Sequence, residues 1–258
     1  MSSASMIGEL DGRTIVVTGG AAGIGRAIVD EAVRRGATAI ALDLDVSEVP
    51  SGVTGIVCNI SETASVAAAF ATITEQFGRV DILVNNAGIG AFGTVESFDD
   101  AEWSRVLGVN VAGTARVSAA ALPLLRTAGG GVIVNISSVA ASTGIQQRAL
   151  YSASKGAVQA LTLAMAADHV HEGIRVVAVA PGTADTPWVS RMVANVADPA
   201  AEMAAMHARQ PIGRLVKPEE VANAVLFLAG PGSGASTGTV LTVDGGFSGL
   251  RVRPVQPS

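Results

Sequence analysis

The sequence predicts an α/β fold, a doubly wound parallel sheet of about seven strands flanked by helices. Three observations predict it. Short β-branched runs recur along the chain without polar alternation, as in strands buried on both faces. Stretches with helical spacing separate them, and strand–helix–strand repetition implies right-handed crossovers in one sheet. Finally, 49% of the 258 residues are hydrophobic and only 15% charged, ample for one large core and too little charge for disorder.

The expected strands are Thr14–Val17, Thr38–Leu42, Gly55–Cys58, Asp81–Val84, Val132–Ile136, Arg175–Val179 and Val240–Val243. Ser61 reads as the N-cap of a helix carrying Val66, Phe70, Ile73 and Phe77 on one face. Asp99 and Glu102 are spaced as a capping box ahead of Val106 and Val109. Pro218-Glu219-Glu220 opens a further helix, with proline in the first turn and acids at the positive dipole end. The whole chain, 1–258, reads as a single domain. Segment 183–213 departs from the rhythm and reads as a substrate lid; it holds Trp188, Met192, Met203 and Met206.

Composition narrows the function. A net charge of −5 argues against nucleic acid as a partner. One cysteine, Cys58, and three histidines (His169, His171, His207) leave no basis for a disulfide framework or a metal site. His169 and His171, two apart, read as solvated. Met1–Leu10 lacks the pattern of a secretory signal, and no apolar run reaches the roughly 18 residues of a membrane span. The expected location is cytoplasmic, with no membrane partner. Fifteen Arg against two Lys point to a GC-rich bacterial genome.

Thr18-Gly19-Gly20-Ala21-Ala22-Gly23-Ile24-Gly25 joins the first strand to a helix. Glycines there permit a tight turn and close approach of a pyrophosphate to the helix N-terminus, the mark of a Rossmann-like dinucleotide site. Asp43 ends the second strand, 20 residues after Gly23. An acid there accepts hydrogen bonds from ribose hydroxyls and repels a 2′-phosphate, so NAD is favoured over NADP; the other reading is that Asp43 only caps the strand. Asn85-Asn86-Ala87-Gly88 brings small and amide-bearing residues to the C-terminal sheet edge. Tyr151, the only tyrosine, stands four residues before Lys155 on a helix, so both share one face. A nearby ammonium favours the phenolate, and a phenol so tuned can exchange a proton with an alcohol or ketone.

These motifs, with Pro181-Gly182, resemble in kind and order the short-chain dehydrogenase/reductase family, over about Leu10 to Phe247. The resemblance implies Asn110, Ser138, Tyr151 and Lys155 as catalytic residues. The family spacing favours Ser138 over the adjacent Ser137. Tyr151 would exchange the proton and Ser138 would bond the substrate oxygen. Lys155 would lower the tyrosine pKa and hold the nicotinamide ribose, and Asn110 would support a water leading from Lys155 to solvent. Cofactor contacts are implied at Gly19, Gly23, Ile24, Gly25, Asp43, Asn59, Ile60, Asn86, Ala87, Gly88, Tyr151, Lys155, Pro181, Gly182, Thr183 and Thr186. Asn59 departs from the Asp that many members carry beside the adenine. The family also implies a homotetramer, with contacts near Val243–Phe247; the tail Arg251–Ser258 would reach a neighbouring subunit or fray.

Within the family, the surroundings of Arg148, Thr186 and Arg209 are similar to dehydrogenases of hydroxy and sugar acids, such as 2-keto-3-deoxy-L-fuconate and type-2 3-hydroxybutyrate dehydrogenases. The expected substrate is a small hydroxy acid or sugar acid, touching Ser138, Tyr151, Trp188 and the guanidinium groups of Arg148, Arg191 and Arg209. The competing readings are a neutral alcohol, cyclic diol or steroid-like ketone, and a non-catalytic dinucleotide sensor. Trp188 and the three methionines would either wall the substrate or pack the lid onto the body.

Overall fold

The computed structural model describes residues 9–252 except Asn195 and Ala197. The leader reading of Met1–Leu10 lies almost wholly outside the described residues, as does the tail beyond Val252.

Seven parallel strands form one sheet in the order β3-β2-β1-β4-β5-β6-β7. They are β1 (Thr14–Thr18), β2 (Thr38–Asp43), β3 (Thr54–Val57), β4 (Ile82–Asn85), β5 (Gly131–Ile136), β6 (Ile174–Pro181) and β7 (Val240–Val243). All seven expected strands are present, with ends moved by one or two residues. The fourth starts late because the buried Asp81 carboxylate is engaged below it, accepting from the Thr14 N–H at 2.9 Å and from Arg13 and Arg79. Burial on both faces holds for the central strands. It fails at the edges: β3 alternates between half-buried and exposed, and Val57 is 62% exposed. An edge strand has a neighbour on one side only, so its outer residues lose cover.

Helices α1 (Gly23–Arg34) and α8 (Pro218–Ala229) pack one face of the sheet through Ile28, Val29, Val221 and Val225. Helices α2 (Thr63–Phe77), α4 (Thr114–Thr127) and α5 (Ala149–His169) cover the other through Val66, Phe70, Val117, Leu125 and Met165. Ser61 does not cap α2. Glu62 occupies that position, and the Ser61 hydroxyl instead donates to Asn59 Oδ1 at 2.7 Å. Asp99 does cap α3 (Asp100–Leu107), accepting from the Glu102 N–H at 2.8 Å. The reciprocal half of that box is missing because Glu102 pairs with Arg105. Pro218 is the first residue of α8, and Glu220 accepts from the Lys217 N–H at 2.8 Å.

Strand order reverses between β1 and β4, which places the opening for a ligand at their C-terminal ends. Segment 183–213 folds into two helices, α6 (Pro187–Val193) and α7 (Pro199–Arg209), over that end of the sheet. Met192, Met203 and Met206 pack the pair together with Val189, Val193 and Leu215. Among the described residues, no helix is long and apolar enough to cross a membrane, and no cluster of three His, Cys, Asp or Glu is placed to hold a metal. Cys58 is buried. His171 is exposed, but His169 is half-buried against Glu172 at 3.3 Å, so only one of the pair is solvated as expected.

Candidate active site

The glycine turn is built from both sides. Gly19 takes φ +65°, a conformation that L side chains rarely adopt, and a Cβ on Gly25 would collide with the Gly19 carbonyl. Helix α1 therefore reaches the turn only because residue 25 is glycine. No side chain caps its N-terminus, leaving the positive end of the helix to whatever binds above it. Asn86 Nδ2 donates to the Thr18 and Gly19 carbonyls at 2.9 and 3.2 Å, and the Asn86 and Ala87 N–H groups both donate to Thr18 Oγ1. The Asn86 side chain thus braces the turn. Asp43 Oδ2 accepts from the Ala21 N–H at 3.0 Å, so its carboxylate stands at the same turn.

A cleft runs from this turn past Ser138, Tyr151 and Lys155 to the lid. Of the expected site residues, Ile24, Asn86, Gly88, Ser138, Arg148, Tyr151, Lys155, Pro181, Gly182, Thr183, Thr186, Trp188 and Arg209 line it. Gly19, Gly23 and Gly25 form the turn at its end. Apart from Asp43 at the turn and Arg191 on the outer side, four expected residues do not line it. Ala87 packs into the core, Ile60 is buried against Gly113, and the Asn59 side chain is occupied by Ser61 and Glu62. Asn110 is the fourth, behind the Gly88–Ile89 wall.

Helix α5 carries Tyr151 and Lys155 one turn apart, with Lys155 Nζ 5.9 Å from the phenol ring centre. Lys155 is buried and donates to the Ile136 carbonyl at 2.8 Å; burial alone lowers its pKa to about 8. Burial raises the Tyr151 pKa, opposed by a hydrogen bond with Ser138 and by the charge of Arg148. The Lys155 ammonium stands beside the same ring. Of the two serines, Ser138 is the one hydrogen-bonded to Tyr151, while Ser137 Oγ donates to the Lys155 carbonyl at 3.1 Å.

Asn110 lies in a π-helical turn, Gly108–Gly113, between α3 and α4. Its Oδ1 accepts from the Ile89 N–H at 2.8 Å; its Nδ2 donates to the Ile89 carbonyl and to Ser154 Oγ. Thr114 Oγ1 donates to its carbonyl. Asn110 therefore braces the Gly88–Ile89 wall. A Cβ on Gly88 would stand 3.1 Å from Asn110 Oδ1 and 3.4 Å from Lys155 Nζ, so glycine lets these groups close on one another.

Arg148 is half-buried beside the phenol. Its guanidinium lies 5.0 Å from the Phe92 ring centre, donates weakly to the Ala91 carbonyl at 3.4 Å, and meets Met192 Sδ at 3.7 Å. Among the described residues, no carboxylate forms an ion pair with it. Burial and the charge of Arg209 both disfavour its protonated form. Arg209 reaches the cleft while pairing with Glu202 at 3.3 Å. Arg191 does not line the cleft; it is exposed on α6, beside an outer depression with Phe92, Arg148 and Trp188. Trp188 covers Gly90, where a Cβ would be 2.5 Å from its ring. Met192 and Met206 line the cleft as well as packing the lid, so both readings of the methionines hold for these two.

The sequence reading missed a polar network below the cleft. Asn85 Nδ2 donates to Asn135 Oδ1 and Ser118 Oγ, and Asn135 Nδ2 donates to Thr162 Oγ1, all near 2.9 Å. Asn85 and Asn135 are in register on β4 and β5. Asparagines inside two β-branched runs were the available signal.

The doubly wound sheet, the glycine turn at its switch point and the tyrosine–lysine helix turn define a dinucleotide-binding oxidoreductase. A family model described as enoyl-(acyl carrier protein) reductase matches residues 19–248. The chain belongs to the short-chain dehydrogenase/reductase family and is an enzyme of the class that oxidises alcohols or reduces ketones with a nicotinamide dinucleotide. It is 38% identical over 256 residues to 2-(S)-hydroxypropyl-CoM dehydrogenase 3 of Xanthobacter autotrophicus, covering 95% of this chain and 100% of that one. It is 39% identical to cis-4-hydroxycyclohexanecarboxylate dehydrogenase of Sinomonas cyclohexanicum, covering 92% and 97%. The structure is similar to that of an aldohexose dehydrogenase of Thermoplasma acidophilum, with a TM-score of 0.90 and 35% identity, covering 98% and 100%.

Proposed function

We propose that this chain is an NAD(H)-dependent dehydrogenase/reductase that interconverts a secondary alcohol and a ketone on a small hydroxy acid or sugar acid. The observation that carries the substrate reading is Arg148, a half-buried guanidinium with no carboxylate partner in the described structure, on the same cleft wall as Tyr151. A guanidinium so placed is partly desolvated, with only a ring face, a long bond to a carbonyl and a thioether against it, and an anionic substrate would supply the direct ion pair it lacks. Arg209 adds a second positive charge. The hydroxycyclohexanecarboxylate relative carries a carboxylate in its substrate name, which supports the reading. The aldohexose dehydrogenase supports the second reading, a neutral polyol.

The residues present fit a dinucleotide. Gly19 and Gly25 leave the turn free of side chains, the uncapped start of α1 suits a pyrophosphate, and Asp43 at the turn suits ribose hydroxyls and disfavours a 2′-phosphate. Pro181, Gly182, Thr183 and Thr186 would hold the nicotinamide end. A nicotinamide held there would supply the acceptor or donor of hydride for the carbinol carbon. Tyr151 takes the hydroxyl proton in oxidation and returns it in reduction. Ser138 bonds the same oxygen, and its bond to Tyr151 favours the phenolate together with Arg148. Lys155, held by the Ile136 carbonyl, keeps a cation behind the phenol. The expected assembly is a homotetramer.

The test is NADH formation with NAD and NADP in parallel, over hydroxy acids, sugar acids and neutral alcohols. Tyr151→Phe is the control. Acids turned over with NAD alone, lost in Tyr151→Phe and weakened in Arg148→Ala and Arg209→Ala, support the proposal. Turnover of neutral alcohols alone, unaffected by either arginine change, discards the acid reading. Turnover surviving in Tyr151→Phe discards the assigned base.

A further inference from the structure

We propose that Gln210 is a positioning residue that latches the lid helix α7 to the cleft floor and so holds the substrate wall in register with the hydride site. The proposal rests on the cleft being the reaction site. The floor, Pro181–Thr183, continues β6; the wall, Met206 and Arg209, belongs to α7. Gln210 immediately follows α7 and is 2% exposed. Its Nε2 donates to the Thr183 carbonyl at 3.2 Å and to the Arg214 carbonyl at 2.9 Å. Backbone bonds from Val216 N–H to the Thr183 carbonyl and from Asp185 N–H to the Val216 carbonyl join the same strips. Gln210 is thus the side chain that connects the end of α7 to that joint. Its main chain closes the helix, donating to the His207 carbonyl and accepting from the Gly213 N–H.

The chemistry is selective. A primary amide is a neutral group with two N–H bonds, and here both face carbonyls. Its Oε1 is buried without a partner among the described residues, against Gly182, where a Cβ would be 2.5 Å away. Leucine or methionine would remove the unpartnered Oε1 but would leave the Arg214 carbonyl without this donor and the Thr183 carbonyl with the Val216 N–H alone. Asp244, the ionised group packed nearest on the Gly182 side, has its carboxylate occupied by Gly246 and Ser248. Arg214 pairs outward with Glu220. Neither competes for the amide.

The test compares Gln210→Met and Gln210→Glu with the wild-type chain on the best substrate of the panel, across pH. Loss of the two donors is expected to raise the substrate KM about tenfold, one hydrogen bond's worth, with the NADH Kd changed less than about twofold. In Gln210→Glu a carboxylate facing two carbonyls repels them. Its burial raises the carboxyl pKa, so lowering the pH restores an O–H donor, and KM recovers toward wild type between about pH 8 and pH 6. Gln210→Met shows no such recovery. Wild-type KM in Gln210→Met, or the same pH trend in all three proteins, overturns the latch. If the wild-type chain turns over only neutral alcohols, the comparison is made with that alcohol; the latch stands or falls while the acid reading has already fallen. If it turns over nothing, the proposed function fails, and the latch is read by hydrogen exchange: faster exchange of α7 in Gln210→Met supports it, and unchanged exchange overturns it.

Discussion

Replacing Lys155 by methionine is expected to stabilise the cofactor-free protein near neutral pH while abolishing its turnover. Lys155 is a buried ammonium whose pKa falls from 10.5 to about 8 on folding. That fall corresponds to about 3 kcal/mol of desolvation cost in the folded state. The cost is present in full below pH 8, where both folded and unfolded chains hold the proton. It shrinks between pH 8 and 10.5, where only the unfolded chain does, so wild-type stability gains from rising pH in that window. Methionine has a similar length and no charge. It forfeits the bond to the Ile136 carbonyl, worth roughly 1.5–2 kcal/mol, leaving a net gain of about 1–2 kcal/mol. For a chain of this size that is a rise in Tm of about 2–8 °C at pH 7. The assay is thermal unfolding of both proteins from about pH 6 to 10.5, with turnover measured alongside. A rise that fades above pH 8, with turnover lost, is the expected result. A fall in Tm at pH 7, or a gain independent of pH, would refute the claim that this cation is held against its solvation preference for the sake of chemistry.

Other outcomes follow from the same geometry. Gly25→Ala pushes a methyl onto the Gly19 carbonyl, and is expected to cost about 1–3 kcal/mol in chemical denaturation and to abolish NADH binding measured by fluorescence. Asn110→Ala strands the Ile89 N–H and carbonyl and releases Ser154; a loss of about 3 kcal/mol is expected, with kcat falling more than the NADH affinity because the wall beside Lys155 loosens. Asp43→Ser removes the carboxylate at the glycine turn, and is expected to raise NADP use relative to NAD by at least about tenfold in kcat/KM, with an unchanged ratio as the opposing result.

Most of the fold was legible in the sequence because the signals that specify it are local. β-branched runs, a glycine turn after the first of them and a proline opening α8 each act within a few residues, and the structure keeps all of them. The edge strands were read less well. Whether Val57 is covered depends on which strand ends the sheet, and that is a property of strand order. Tyr151, Lys155 and Gly25 were equally legible, since helix spacing and steric room at a turn are set by the chain beside them.

Tertiary structure decided how those residues are used. Lys155 was legible as the partner of the phenol along the helix. Tertiary structure adds Ser138, supplied by the end of β5, and Arg148, which the turn entering α5 directs at the same cleft; both favour the phenolate. The side-chain amides of Asn110 and Asn86 are engaged by the fold itself, on the Ile89 wall and the glycine turn. Arg148, Arg191 and Arg209 look alike in the chain; only the packing of α6 and α7 sets two of them on the cleft and one outside it. Gln210 gave no signal at all, because a glutamine becomes a latch only when two carbonyls from distant segments meet its amide. Sequence by itself determines local backbone preference and the chemistry on offer. Which polar groups remain for a substrate, after the fold has satisfied its own buried donors and acceptors, is settled only when distant segments come together.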